Sequence, residues 1–349
     1  LCDREIACDS AVLQMISADE YQAYGTTLIN FAEKISSFSS PLAVGMSGNF
    51  RQMKRRILNI AVFRKETLYQ KMRALIIYLV ISAVFIGCTP ILSIDASTQS
   101  VYHFSDTDKN ISLLDISETF GTYDGSFVLY DNNLDSWKIY DLEEATKRIP
   151  PESTYKIYDA LLGLESGIIT PEHSSMTWNG DAFPFPSWEA DQDLNSAMQN
   201  SVNWYFQAID SQLGINRVQE FLNKIEYGNQ TTSSNLDLYW SDFSLKISPL
   251  EQVTLLKKFN TNEFHLNFQN VFSVKNAIKI ASTPNGNFYG KTGTGRVNGQ
   301  DINGWFIGYV ETSDNSYYFA TNIQSDSNAT GKKAFEITSD ILKKLHIWN

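Results

Sequence analysis

The sequence predicts an α/β fold, a sheet flanked by helices, preceded by a segment that crosses a membrane. Three observations predict it. Strand-like runs stand before and after a long helical stretch in the second half of the chain. Residues 74–94 carry no charge. Three short motifs then follow in order: Ser153-Thr154-Tyr155-Lys156, Ser201-Val202-Asn203 and Lys291-Thr292-Gly293.

The 349 residues suffice for two domains, or one domain and a membrane module, and a hydrophobic fraction of 43% can fill a core. A net charge of −11 argues against direct nucleic-acid binding, which needs a basic face. The three cysteines are Cys2, Cys8 and Cys88, so everything beyond residue 88 must hold together without an internal disulfide. The chain opens on Leu1 rather than Met and reads as the C-terminal part of a longer protein.

The 21 residues of 74–94 would make a helix of roughly 30 Å, the thickness of a bilayer's hydrocarbon. A buried core helix is the alternative, but core helices of this length carry polar positions. Arg51, Lys54, Arg55, Arg56, Arg64, Lys65, Lys71 and Arg73 crowd its N-terminal side, whereas Lys109 is the sole basic residue of 95–116. Positive charge stays inside, so residues 1–73 are placed in the cytoplasm and 95–349 outside the cell. Phe85-Ile86-Gly87-Cys88 also resembles a lipoprotein cleavage box, although that would make 1–73 an overlong leader.

Phe127–Tyr130 and Ser136–Tyr140 read as strands around Asp131-Asn132-Asn133. Helical spacing runs from Thr154 to about Phe221, broken by Gly and Pro loops. Strand patterns return at Asn287–Lys291, Gly304–Glu311 and Tyr317–Ile323, and Gly331–Leu345 suits a terminal helix.

Ser153 lies at a predicted helix start, where its hydroxyl is exposed and backbone N–H donors are near. Lys156, three residues on, shares its face. A serine hydroxyl needs a neighbouring base, and burial disfavours a lysine's charge, so a neutral Lys156 can accept the proton. Alone, the pair reads better as a helix cap beside a surface lysine. Its companions decide otherwise. Ser201 can relay a proton to a leaving nitrogen. Lys291 and Thr292 suit a carboxylate. Gly293 lets a substrate lie against a strand edge, and a backbone N–H beyond it can face an oxyanion.

These motifs are the signature of penicillin-recognising acyl-transfer sites. Residues 105–349 resemble class D β-lactamases, and especially the sensor domains of the BlaR/MecR family of β-lactam receptors. Trp178-Asn179-Gly180, Tyr227-Gly228-Asn229 and Gly304-Trp305-Phe306-Ile307-Gly308 add to the likeness, as does Trp240. The resemblance implies that Ser153 is acylated and that Lys156 is its base, acting as an N6-carboxylysine made with carbon dioxide. It implies a proton shuttle at Ser201 and a drug-binding set of Lys291, Thr292, Gly293, Thr294, Asn203, Tyr227 and Trp240. The backbone N–H groups of Ser153 and Thr294 would form the oxyanion hole. Asn203 departs from class D, which usually has an apolar residue there; an amide can bond Lys156 and favour loss of the carbamate. Arg296 is near the position of the arginine that class D enzymes use for the drug's carboxylate.

Glu5 and Asp9 resemble the Glu-x-x-x-Asp element of membrane zinc peptidases fused to such sensors, with Glu5 as a zinc ligand. The chain has no H-E-x-x-H; its histidines are His103, His173, His265 and His346. Met46-Ser47-Gly48-Asn49-Phe50 and Lys54-Arg55-Arg56 form a basic stretch suited to lipid headgroups. The expected order is therefore the end of a zinc-peptidase-like domain (1–73), a transmembrane helix (74–94) and a penicillin-binding sensor domain (95–349). The expected function is a β-lactam sensor in the cell membrane that signals through an inner zinc protease to a repressor of resistance genes. A membrane-anchored class D β-lactamase is the alternative. No cofactor beyond carbon dioxide is expected in the sensor domain.

Overall fold

The computed structural model describes residues 2–36, 50–65, 69, 72–73, 75–78, 100–105, 107 and 109–349. The chain divides into two compact units, residues 1–91 and 92–349. The predicted span 74–94 and the stretch 46–49 lie almost wholly outside the described residues. Among the described residues, no helix is long and apolar enough to cross a membrane.

Among its described residues, the first unit carries α1 (Cys2–Met15), α2 (Tyr21–Ser36) and α3 (Phe50–Val62), with a 3-10 turn at Ala18–Glu20. Leu13 and Ile60 are buried where α3 packs on the other two. Across α1 and α3, Asp9 takes a two-pronged hydrogen bond from Arg56, 2.8 Å at both Nε and Nη2. Tyr24 donates to the same carboxylate at 2.9 Å.

In the second unit the elements run β1 (Asn110–Leu113), α4 (Ser117–Phe120), β2 (Asp124–Asp131), β3 (Ser136–Tyr140) and α5 (Leu142–Thr146). A helical layer follows: α6 (Lys156–Glu165), α7 (Leu194–Gln199), α8 (Asn203–Leu213), α9 (Ile215–Ile225), α10 (Pro249–Asn260) and α11 (Phe268–Ala277). The chain returns to the sheet with β4 (Lys279–Thr283), β5 (Gly286–Val297), β6 (Gln300–Thr312) and β7 (Ser316–Gln324), and ends on α12 (Gly331–Lys344). The sheet order is β1-β3-β2-β7-β6-β5-β4, antiparallel except for the β1–β3 pair.

Both faces of the sheet are covered, so its central strands lack the apolar–polar alternation of a half-exposed sheet. In β2, Phe127 and Leu129 face α12 with Phe288, Phe306 and Ile337, while Val128 and Tyr130 face the helical layer. The second face holds the larger core, and α6 lies inside it with Ile157, Tyr158, Ala160, Leu161 and Leu162 all buried. The predicted strands and terminal helix are present. β5 runs further than expected, carrying Lys291-Thr292-Gly293 within the strand.

Candidate active site

Ser153 sits in a 3-10 turn, Glu152–Tyr155, that runs directly into α6. The turn is clamped from both sides. Trp305 Nε1 and Asn303 Nδ2 donate to Pro150 O at 2.8 and 3.1 Å. Glu152 N donates to Trp240 O at 3.1 Å, and Gln252 Nε2 donates to Thr154 Oγ1 at 3.0 Å. Glu152 adopts a φ of +52°, a strained conformation for a residue with a Cβ. Its carboxyl is buried with Asn303 Nδ2 3.2 Å away, and burial pushes it up to about 8.

Lys156 is 1% exposed. Its Nζ lies 2.8 Å from Ser153 Oγ, 3.2 Å from Ser201 Oγ, 3.0 Å from Ser201 O and 2.5 Å from Asn203 Oδ1. An ammonium has three protons to give and a neutral amine two plus a lone pair. Two contacts can only accept, Ser201 O and Asn203 Oδ1. A neutral Lys156 satisfies both and keeps its lone pair for the hydroxyl of Ser153. Desolvation first, then the charge of Lys291, holds Lys156 well below the usual lysine range, against Asp159 and Glu152, which favour its charge. The rings of Trp240 and Phe206 lie 4.9 and 5.7 Å from Nζ and exclude water from that side.

Ser201, at φ +55°, ends the turn before α8 and sits between the two lysines. Lys291 Nζ donates to Ser201 Oγ at 2.9 Å and to Thr292 O at 2.9 Å. Burial lowers the Lys291 ammonium to about 7. The hydroxyl of Ser201 thus links Lys156 to Lys291.

Strand β5 forms the opposite wall. Gly290 N bonds Ile278 O at 2.9 Å, away from β6. Backbone groups alternate sides along a strand, so the N–H groups of Thr292 and Thr294 lie on the same edge, which β4 leaves free beyond Tyr289. A Cβ at Gly293 would meet Glu152 Cβ and Pro151 O at 3.1 Å and Ser153 N at 3.2 Å. Only glycine lets the strand approach the nucleophile's backbone so closely.

A cleft of about 420 Å³ opens between these walls, lined by Ser153, Ser201, Asn203, Thr292 and Thr294. Phe185 and Trp188, their rings 5.3 Å apart, line it as well. Arg296 reaches the cleft but is paired to Asp301, with Nε 2.7 Å from Oδ1.

Two expected drug-binding residues stand elsewhere. Tyr227 is fully buried, edge-on to Tyr155 and Tyr158 at 5.2 and 5.1 Å, and does not line the cleft. Its motif is a backbone lock: a Cβ at Gly228 would meet Lys246 O at 1.9 Å, and Asn229 Nδ2 holds Ser244 O at 2.7 Å. Trp240 lies behind Lys156 rather than on the cleft surface. Sequence reasoning misses Phe185, Trp188 and the buried acids Glu152 and Asp159. The aromatic and proline run Phe183-Pro184-Phe185-Pro186-Ser187-Trp188 is the signal for the first two.

In the other unit, Glu5 Oε2 lies 3.3 Å from Arg56 Nη1, with its side chain 30% exposed. Asp9 is taken up by Arg56 and Tyr24, leaving Glu5 as the acid of that element able to offer a ligand. Among the described residues, no three of His, Cys, Asp and Glu come together as a metal site.

Comparison with known proteins agrees with this geometry. The penicillin binding protein transpeptidase domain matches residues 125–343, and the BlaR1 peptidase M56 family matches residues 1–60. The second unit is thus a penicillin-binding transpeptidase-type domain with a class D β-lactamase-like fold. It is similar to the C-terminal domain of the Bacillus licheniformis BlaR penicillin-receptor, at 45% identity and a TM-score of 0.67, over 69% of this chain and 99% of that one. The class D β-lactamase BAT-2 is 36% identical with a TM-score of 0.64, over 68% of this chain and 97% of its own. The regulatory protein BlaR1 of Bacillus licheniformis is 41% identical over 99% of this chain and 58% of its own length. The chain belongs to the BlaR/MecR family of regulatory proteins. It spans 58% of the length of the first curated relatives it matches.

Proposed function

We propose that the second unit is a β-lactam sensor. Ser153 Oγ attacks the lactam carbonyl carbon while its proton passes to Lys156 Nζ. The ring C–N bond breaks, and Ser201 relays that proton to the leaving nitrogen. The N–H groups of Ser153 and Thr294 receive the oxyanion. Lys291, Thr292 and Thr294 hold the drug's carboxylate, and Gly293 gives it room.

One observation carries the sensor reading over the hydrolase reading: Asn203 Oδ1 lies 2.5 Å from Lys156 Nζ. Lys156 forms its N6-carboxylate from neutral amine and carbon dioxide, and Asn203 draws the amine back to the free form. Without a carboxylated base, water is not activated and the acyl group stays on Ser153. The relatives named regulatory protein and penicillin-receptor support the same reading. The Ser153–Lys156–Ser201 geometry would equally serve a membrane-anchored class D β-lactamase, which Asn203 disfavours.

In the whole protein, residues 74–94 would span the cell membrane, with the basic segment before them on lipid inside and the sensor outside. The M56 match supports an inner zinc protease, with Glu5 as one ligand and the others beyond this chain, acting on a repressor of resistance genes. Incubating the full chain with labelled penicillin should give a single adduct, mapped by mass spectrometry to Ser153 and absent from Ser153→Ala. Labelling that survives this substitution would refute the nucleophile.

A further inference from the structure

The first turn of α12 packs against the part of β5 that walls the cleft. A helix start leaves its first N–H groups without intrahelical partners. In α12, Thr330 Oγ1 takes the N–H of Lys333 at 3.1 Å, while Gly331 N donates across to Thr294 Oγ1 at 2.8 Å. The approach needs bare α-carbons. A Cβ at Gly331 would meet Gly293 O at 2.6 Å and Thr292 Cβ at 2.8 Å, and one at Gly304 on β6 would meet Thr330 O at 2.6 Å. One turn on, the ring of Phe335 lies edge-on to Phe306 at 4.9 Å and stacks on Phe288 at 6.3 Å, which holds the helix start against the sheet.

The direction of the bond from Gly331 is fixed by chemistry. A backbone N–H can only donate, so Thr294 Oγ1 accepts. A hydroxyl has two lone pairs and one proton, and a free one rotates to suit its partner. Here one lone pair is engaged, and no group among the described residues takes the proton from Thr294. Thr294 is exposed and lines the cleft, so that proton is left for what the cleft holds. A hydroxyl tied in this way favours a ligand that accepts, above all a charged one.

We propose that Gly331 is a positioning residue of the acylation site: its N–H turns the Thr294 hydroxyl into a committed donor, through which the cleft prefers a carboxylate to a neutral group on the drug. Gly331 touches no substrate and acts through Thr294. The proposal rests on the reading above, in which Thr294 receives the drug's carboxylate, and adds what sets that preference. Arg296, the cation nearest in sequence, is tied to Asp301, which leaves the hydroxyl more of the task.

The experiment measures acylation of Ser153 in the full chain by benzylpenicillin and by its methyl ester, followed by intact mass, and reads the ratio of the two second-order rate constants. A hydrogen bond to a charged acceptor outweighs one to a neutral acceptor by about tenfold in affinity. Thr294→Val should therefore lower the acid-to-ester ratio about tenfold, and Thr294→Ser, which keeps the hydroxyl, should retain it. Gly331→Ala should lower the ratio in the wild-type background and leave it unchanged in the Thr294→Val background, because it acts through that hydroxyl. A merely structural Gly331 would slow acid and ester by the same factor. That result overturns the proposal, as do an unchanged ratio in Thr294→Val and a further fall in the double variant. If Gly331→Ala does not fold, hydrogen exchange of the Gly331 amide decides. A lowered ratio with faster exchange in Thr294→Val, but not in Thr294→Ser, supports the proposal; exchange equal to wild type overturns it. Wild type that reacts equally with acid and ester refutes the carboxylate assignment at β5, and wild type that takes no label at Ser153 refutes the sensor reading; either result ends the proposal too.

Discussion

Replacing Asn203 by Val tests the contact that separates a sensor from a hydrolase. The amide oxygen lies 2.5 Å from Lys156 Nζ, in a site where Lys156 is 1% exposed. A hydrogen bond from an ammonium is worth about 1.5–3 kcal/mol, and one from a neutral amine about 0.5–1.5 kcal/mol. Removing the acceptor should therefore disfavour the ammonium relative to the neutral amine by about 1–1.5 kcal/mol, roughly a tenfold fall in proton affinity. Carbon dioxide reacts with the neutral amine alone. Carboxylation of Lys156 should rise accordingly, and the penicillin adduct should be lost up to about tenfold faster. The assay is paired: 13C NMR of the carbamate in labelled bicarbonate, and intact mass of the adduct against time. Ser153, Ser201 and Lys291 keep their mutual contacts, so the acylation rate should change little. Carbamate occupancy and adduct lifetime both equal to wild type would refute the reasoning.

Further outcomes follow from the walls of the cleft. Gly293→Ala places a Cβ 3.1–3.2 Å from the Pro151–Ser153 backbone and must push β5 away from the nucleophile. Its acylation rate should fall, by less than the roughly hundredfold cost of a 1 Å misplacement, with little change in melting temperature; acylation at the wild-type rate would show that the close approach does not matter. Glu152 carries a stability signature. Its folded carboxyl keeps its proton up to about 8, whereas the unfolded one loses it near 4.5. Between those values the native state binds more protons, so stability falls as pH rises, by about 1.4 kcal/mol per unit. Glu152→Gln should remove that slope, and the gap in melting temperature between variant and wild type should widen from pH 4.5 to about 8 and then level off. Parallel curves would contradict the burial argument.

The reactive centre is legible in the sequence because its logic is local. Lys156 falls on the face of Ser153 by helical spacing alone, and the order of the three motifs supplies Ser201 and Lys291. Tyr227 is misread because Tyr-Gly-Asn looks alike whether its ring faces the cleft or, as here, the core against Tyr155 and Tyr158. Trp240 does stand near Lys156, but a sequence does not say on which side of the amine a ring lies. Glu152 and Asp159 escape notice because charged residues are ordinarily exposed; only the packed fold shows them in the core. The expected strand stops at Lys291, whereas β5 continues to Val297 and its glycines let Gly293 and Gly295 lie close to Glu152. Strand β1 has four residues, most of them exposed, and its parallel pairing with β3 depends on a contact that no local pattern encodes.

The lifetime of the penicillin adduct on Ser153 tests the central claim most directly. The full chain is pulse-labelled at neutral pH, freed of excess drug, and followed by intact mass. The Lys156–Asn203 contact predicts an adduct that persists for many minutes with no hydrolysed penicillin building up in step. Loss of the adduct within seconds, with stoichiometric release of hydrolysed drug over repeated cycles, would contradict it and identify a β-lactamase.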